Sequence, residues 1–532
     1  MRRAFPLLIL VFGCLNAQSE NALPPGIRIG EYEKAISPNT PRKPAEQKAP
    51  DTAAAPASPT LSEVRTPAAP TLAAYPALRK NIENVFPKGA LSKIDAGIFA
   101  VSLDRGDVLL DMGADKQLIP ASVSKLFTAY TALKRLKPTA TFETSVWATG
   151  PIMDGKLGGD LYLRGGGDPS LVSERLWMLV NELVRSGIKQ ITGDLIADSS
   201  YYDMERTPDT RPSYLTDQAY NAPVGALSFN FNTTTIYVKP AETSGKPPTV
   251  YTDPENSYID VVNQATTGKG GSSNTIAVKR TEFVKGDIGD TVLLRGSIPT
   301  DHGEMRFYRN IVNPSLYAAH MFKTFWEQRG MRLGGNIKEG TVSSKARQIL
   351  KFESLPLWQI VWGMNKFSNN FVADQILKKV GAEVFGAPGS LEKGLQAMKG
   401  SLEQLGIPAG KYTIIDGSGL TRKTKVTARQ VTRVLEASAK DLSLSAEFIA
   451  SLGIGGEDGT LRNRLPSEQM SSIVRGKTGS LDGVNALAGY TTTKDGEQIA
   501  FAILLNDPGL RYGRMSGWID RIALELSKFS RK

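Results

Sequence analysis

The chain has 532 residues, 41% of them apolar and 22% charged, with a formal charge of +11; this is enough for more than one domain and a sizeable core. A single cysteine, Cys14, excludes an internal disulfide and cysteine-based metal centres, and the two histidines, His302 and His320, do not form an H-E-x-x-H helix. The positive charge suits an anionic partner such as a membrane surface or a cell-wall polymer, but it is spread along the chain, without the basic block or zinc-finger spacing that would indicate nucleic acid.

Arg2 and Arg3, followed by apolar Ala4 to Phe12, have the form of an export signal and are too short to span a bilayer. Residues 1–17 therefore read as a leader, and the mature chain is expected in the periplasm. VFGC, ending at Cys14, resembles a lipobox, which would anchor the chain through lipid on Cys14; cleavage near Ala17 is the alternative. Residues 18–77 are rich in Pro, Ala, Ser, Thr and Lys and lack apolar periodicity, which predicts a disordered, partly extended tether.

Folded sequence is expected from Leu78. DAGIFAVSLDRGDVLLDMGADK reads as a hairpin turning at Asp104 to Asp107. PASVSKLFTAYTALKRLK reads as a helix with Leu126, Tyr130 and Leu133 on one face. Ser122 and Lys125, three apart, then lie on the same side, close to the helix start where backbone N–H groups are free. A lone S-x-x-K is more simply a capping serine. From Phe142 to Ala346 strands and helices mix; the Gly/Thr/Val-rich piece at 238–297 looks all-β, and a helical pattern returns over Ser315 to Arg329. LPLWQIVWGMNKFSNNFVADQILKKVG opens a helix-rich stretch, followed by strands, a hairpin around Lys494 to Glu497 and a last helix near Trp518 to Leu526.

Two further motifs change the reading of Ser122. Ser368-Asn369-Asn370 supplies an S-x-N, and Lys477-Thr478-Gly479-Ser480 a K-T-G after the short strand SSIVR. Each is weak alone; the order S-x-x-K, S-x-N, K-T-G signals the penicillin-recognising serine acyltransferases. The residue types fit the chemistry. A serine hydroxyl needs a base. Lys125 can serve only as the free amine, so its pKa must fall from about 10.4 through burial and a neighbouring cation, for which Lys477 is a candidate. Ser368 can relay a proton to the leaving amine. Asn370 can hold the substrate backbone or Lys125. Lys477 and Thr478 offer a charge and a hydroxyl to a terminal carboxylate, and the N–H groups of Ser122 and Ser480 would form an oxyanion hole.

With these motifs the chain resembles the low-molecular-mass class C penicillin-binding proteins, the D-alanyl-D-alanine carboxypeptidase/endopeptidases of the penicillin-binding protein 4 type. The resemblance runs from Leu78 to Lys532 and includes GGDPSL at Gly166–Leu171, NAPVGALSFN at Asn221–Asn230, MNKFSNN at Met364–Asn370, DGSGLTR at Asp416–Arg422 and DGTLRNR at Asp458–Arg464. Ser122 and Ser368 are 246 positions apart (368 − 122), far more than in a class A β-lactamase, which looks like the large insertion of class C.

The resemblance implies an α/β, penicillin-recognising serine transpeptidase/β-lactamase-like fold: a five-stranded antiparallel sheet flanked by helices beside a helical lobe, S-x-x-K opening the central helix and K-T-G on an edge strand. The catalytic domain would comprise 78–140 and 346–532, interrupted at 141–345 by a domain II that carries a nested, β-rich domain III at about 238–297. It also implies a serine-type peptidase acting on peptidoglycan stem peptides and acylated by β-lactams, with no metal or organic cofactor. Ser122, Lys125, Ser368, Asn370 and Lys477 would be catalytic. Thr478, Gly479, Ser480, Ser418, Leu420 and Arg422 would bind substrate, Arg422 through the carboxylate of the stem peptide's third side chain. Two positions depart from the family pattern: Asn369 where Asp is frequent, and Asp482 where relatives can carry a serine lining that side-chain pocket. The rival readings are a β-lactamase and a catalytically silent wall-binding or sensing protein. The resemblance assigns no oligomeric state.

Overall fold

The computed structural model describes residues 75–532 except 209–210, 212–216, 283–288, 466–473, 508 and 510–514. The predicted leader, Cys14 and the tether up to residue 74 lie outside the described residues. No helix among the described residues is long and apolar enough to cross a membrane.

The central sheet has six strands in the order Val108–Met112, Asp95–Ser102, Gln498–Asn506, Val484–Thr492, Arg475–Leu481 and Gly453–Ile454, antiparallel throughout. Its strands Asp95–Ser102, Gln498–Asn506 and Val484–Thr492 are buried almost without interruption because both faces are covered. Alternation then sorts the side chains. Phe99, Val101, Ala500, Ala502 and Leu504 enter one core with the helices Lys125–Leu136 and Ala428–Lys440. Ile98, Ala100, Phe501, Ile503 and Leu505 enter a second core with the helices Pro76–Glu83 and Ser516–Lys528. Small residues on the first face, Ala486, Ala488, Ala500 and Ala502, leave room for the helix Ala428–Lys440 that packs against these strands.

The sheet has one strand more than the resemblance implied. Gly453–Ile454 pairs only with Arg475 and Gly476, so the K-T-G strand is not at the edge, yet this two-residue neighbour ends before Lys477.

Between Phe142 and Ser354 the chain builds further sheets. It leaves the core along Glu143–Ala148 and returns along Arg347–Glu353, and these strands pair with each other, Glu143 opposite Glu353. They end a five-stranded sheet ordered Ile337–Glu339, Leu195–Asp198, Leu161–Gly165, Glu143–Ala148, Arg347–Glu353. The helices Ser173–Arg185 and Pro314–Gln328 share its apolar core, whose members run from Val146 to Phe352. The stretch expected to be all-β carries only strands among its described elements, and strands continue on both sides, from Thr233–Lys239 to Met305–Asn310.

Candidate active site

The S-x-x-K segment is a tight turn running into a helix. Ala121–Ser124 forms a 3₁₀ turn and the α-helix starts at Lys125. Ala121 holds φ at 47°, a left-handed conformation that costs energy for a residue with a side chain. Two glycines let neighbouring segments close around it. A Cβ on Gly479 would lie 2.3 Å from the Pro120 carbonyl oxygen, and one on Gly419 would lie 2.1 Å from that of Ala121. The glycine of K-T-G is thus required by the close approach of its strand to the serine turn.

Ser122 does not cap the helix. Its Oγ is 2.9 Å from Lys125 Nζ. Lys125 is fully buried and also donates to Asn370 Oδ1 at 2.7 Å and to the Ser418 carbonyl at 2.7 Å. Burial pushes its pKa down to about 7, against the pull of the Asp374 and Asp416 carboxylates and with a smaller push from Arg211. A neutral amine has two N–H bonds and one lone pair. With the two oxygens taking the N–H bonds, the lone pair is left for Ser122.

S-x-N joins two helices, Leu357–Lys366 and Asn370–Phe385. Ser368 has φ 56°, which turns the chain so that Asn369 caps the second helix by accepting from Val372 N–H at 3.1 Å. The departure at Asn369 is explained by this position, since Asn and Asp cap about equally well. Asn370 presents Oδ1 to Lys125 and donates through Nδ2 to the Tyr220 carbonyl at 2.9 Å.

Lys477, also fully buried, donates to Ser368 Oγ at 2.9 Å and to the Thr478 carbonyl at 2.9 Å. Burial, followed by the charge of Lys125, holds its pKa well below the ordinary lysine range. Burial is likewise the largest cause of the Lys125 shift, with Arg211 adding to it, and the repulsion between the Lys125 and Lys477 charges opposes the ammonium form of both. Thr478 Oγ1 donates to Thr460 Oγ1 at 2.7 Å. Ser480, partly buried, continues the strand opposite Asn485, and this strand packs against the Ser122 turn.

Residues 418–422 divide. Ser418 is fully buried, with its carbonyl on Lys125 and its Oγ accepting from Leu420 N–H at 3.3 Å. That places it in the wall behind the amine rather than on the substrate side where the resemblance put it. Leu420 is partly buried, while Arg422 is exposed and donates to the main-chain carbonyl of Asp482.

Comparison with known proteins agrees with this geometry. The model of the D-Ala-D-Ala carboxypeptidase 3 (S13) family matches residues 78–519. The chain belongs to this family. The S13 chain is 34% identical over 445 residues to the D-alanyl-D-alanine carboxypeptidase of Actinomadura sp. (strain R39), covering 81% of each. It is 28% identical over 417 residues to the D-alanyl-D-alanine carboxypeptidase DacB of Haemophilus influenzae, covering 77% of this chain and 85% of the relative. The crystal structure of penicillin binding protein 4 (dacB) from H. influenzae matches with a TM-score of 0.72 and 26% identity, over 85% of this chain and 99% of that one. A form of it complexed with a β-lactam matches at a TM-score of 0.67, 25% identity and the same coverage. The fold is the α/β penicillin-recognising one.

Several groups at the site of this S13 enzyme were not singled out by sequence. Asp374 lies one turn after Asn370 on the same helix face, a spacing that could have revealed it. Asp416 and Thr460 stood inside quoted motifs without a role. Arg211, paired with Asp374, comes from a loop with no periodicity or motif to mark it.

Proposed function

We propose that this chain is a DD-peptidase that cleaves the D-alanyl-D-alanine end, or the corresponding cross-link, of peptidoglycan stem peptides. Ser122 Oγ bonds to the scissile carbonyl carbon as Lys125 takes its proton. The oxyanion is met by the N–H groups of Ser122 and Ser480. The C–N bond breaks, and the proton that Lys125 took passes through Ser368, hydrogen-bonded to Lys477, to the departing amine, leaving Lys125 neutral again. Water then repeats the sequence on the acyl-enzyme, with Lys125 again accepting a proton and Ser122 leaving. Lys477 and Thr478 receive the terminal carboxylate, and Arg422 a carboxylate on the third residue. In a β-lactam the departing amine stays tethered to the acyl group, so the acyl-enzyme persists. The observation that carries this reading is the buried Lys125 amine, 2.9 Å from Ser122 Oγ with two other oxygens holding its N–H bonds.

The test is direct. Wild type is expected to bind one fluorescent penicillin covalently and to release D-alanine from defined muropeptides, read by mass, more readily when the third residue has a free carboxylate. Ser122→Ala should lose both activities with its melting temperature kept. Full labelling of a folded Ser122→Ala would remove Ser122 as nucleophile, and rapid nitrocefin turnover by wild type would favour a β-lactamase.

The remaining readings rest on sequence and fold together. We propose that the chain is exported to the periplasm, and that the insertion is a separate domain running from about residue 141 through Glu353 rather than ending at 345. The pairing of Arg347–Glu353 with Glu143–Ala148 supports that limit. Of the two maturation routes, the length of the Pro/Ala-rich segment supports the lipid anchor at Cys14.

A further inference from the structure

The helix Asn370–Phe385 carries three polar side chains one turn apart, Asn370, Asp374 and Lys378. All three reach the same stretch of the insertion. Asn370 Nδ2 donates to the Tyr220 carbonyl at 2.9 Å. Asp374 Oδ2 accepts from Arg211 Nη2. Lys378 pairs with Asp203 at 2.5 Å and donates to the Glu205 carbonyl. Arg211 also donates to Asn221 Oδ1 at 2.8 Å, next to the Tyr220 carbonyl.

The Arg211 and Asp374 side chains are each 2% exposed, so removing either one strands the charge of the other away from water. Asp374 has a second contact. Its Oδ1 accepts from Gly417 N–H at 2.8 Å, and the next residue, Ser418, provides one of the two oxygens that hold Lys125. The other comes from Asn370, four residues before Asp374. Both acceptors of the Lys125 amine therefore connect to one buried ion pair, half of which belongs to the insertion.

We propose that Arg211 and Asp374 form a latch through which the insertion positions Lys125 and sets the pH at which its amine becomes free. They are positioning residues: Asp374 acts through Gly417 and its helix, and Arg211 acts through Asp374. The proposal rests on the reading of Lys125 as the base for Ser122. The charged groups facing Lys125 are Asp374 on the helix Asn370–Phe385, Asp416 on the loop that carries Ser418, Arg211 from the insertion and Lys477 on the strand Arg475–Leu481. The carboxylates favour the ammonium, and the cations oppose it. With Arg211 in place, the charge of Asp374 is largely balanced. Without it, both the carboxylate, whose pKa burial already pushes up to about 6, and the Lys125 amine hold protons to higher pH. Loss of the Asp374 charge acts in the opposite direction.

The rate of acylation by fluorescent penicillin, followed against pH on the full chain, tests this. Arg211→Met should move the acid limb up by about one pH unit, roughly a tenfold slower reaction below the limb, with much of the rate recovered at high pH. Asp374→Asn should move the limb down. Arg211→Lys, which keeps the charge, should restore the wild-type limb. The double variant Arg211→Met/Asp374→Asn leaves a neutral pair that a core tolerates, and its limb should return close to the wild-type position even if the single Arg211→Met does not fold. A limb that moves in neither single variant, with rate lost equally at every pH, would overturn the proposal, as would a double variant whose limb remains displaced. A wild-type chain that takes no label would overturn the reading of Ser122 and Lys125, and the latch with it.

Discussion

Lys125 is a cation-forming group placed where a cation is costly. Its Nζ is buried with oxygens on three sides, and burial brings its pKa to about 7. The sign of the pH dependence follows: below about pH 7 the amine is protonated and cannot accept the Ser122 proton, so the acylation rate should rise with pH through that value and then level off, as stopped-flow labelling would show. Lys125→Arg keeps a charge but cannot give up its proton at accessible pH, and should be as damaging as Lys125→Ala. If its acylation rate stays within about tenfold of wild type, about 1.4 kcal/mol, the base lies elsewhere. That Ser122, Lys125 and Asn370 meet, and that Ser368 meets Lys477, was legible in sequence because few residue types can do the chemistry proposed for them and because the three motifs come in a fixed order. What depresses the lysine could not be read in the same way. Burial is a result of long-range packing, and Arg211 reaches the site from a loop that has no local signature.

The S-x-N corner shows what a short element demands. Asn369 ends one helix-to-helix turn and accepts from Val372 N–H, so any residue that supplies a short side-chain oxygen will serve. Asn369→Asp should leave stability within about 0.5 kcal/mol and labelling unchanged, whereas Asn369→Ala should cost about 1 kcal/mol in urea unfolding. Equal losses in both would mean that the amide nitrogen of Asn369 matters and that capping does not account for the position. The hairpin at Asp104 to Asp107, the helices and the closing strands were legible because period-2 and helical patterns run for several turns or pairs. Gly453–Ile454 was not: two residues carry no period, and their pairing with Arg475 and Gly476 depends on a chain reversal about twenty residues long.

At the scale of the molecule, the wide separation of S-x-x-K from S-x-N was legible as a distance in sequence, while the limit proposed for the insertion rests on the pairing of its entering and leaving strands. The segment before residue 78 also belongs to this scale. A chain of roughly 60 residues with this Pro/Ala-rich composition would, if it behaves as the tether its sequence suggests, span about 45 Å on average and more when extended, a reach that an enzyme fixed to a membrane would use to meet the wall. Cys14→Ser should therefore release the protein from the membrane fraction or block its maturation; wild-type protein that is wholly soluble and begins at Gln18 would decide for simple leader cleavage. The central sheet has a last consequence, for the order in which the protein comes into being. Its second strand pairs along its whole length with its third, Ile98 opposite Ile503, 405 positions apart (503 − 98), so the sheet is a closure of high contact order that local folding cannot complete. A chain made from its N-terminus contains Ser122 and Lys125 early, yet lacks Lys477 and the strand Gln498–Asn506 until synthesis is nearly finished. An interrupted product would carry the nucleophile without the pocket, so the power to cut the wall arrives only with the finished polypeptide.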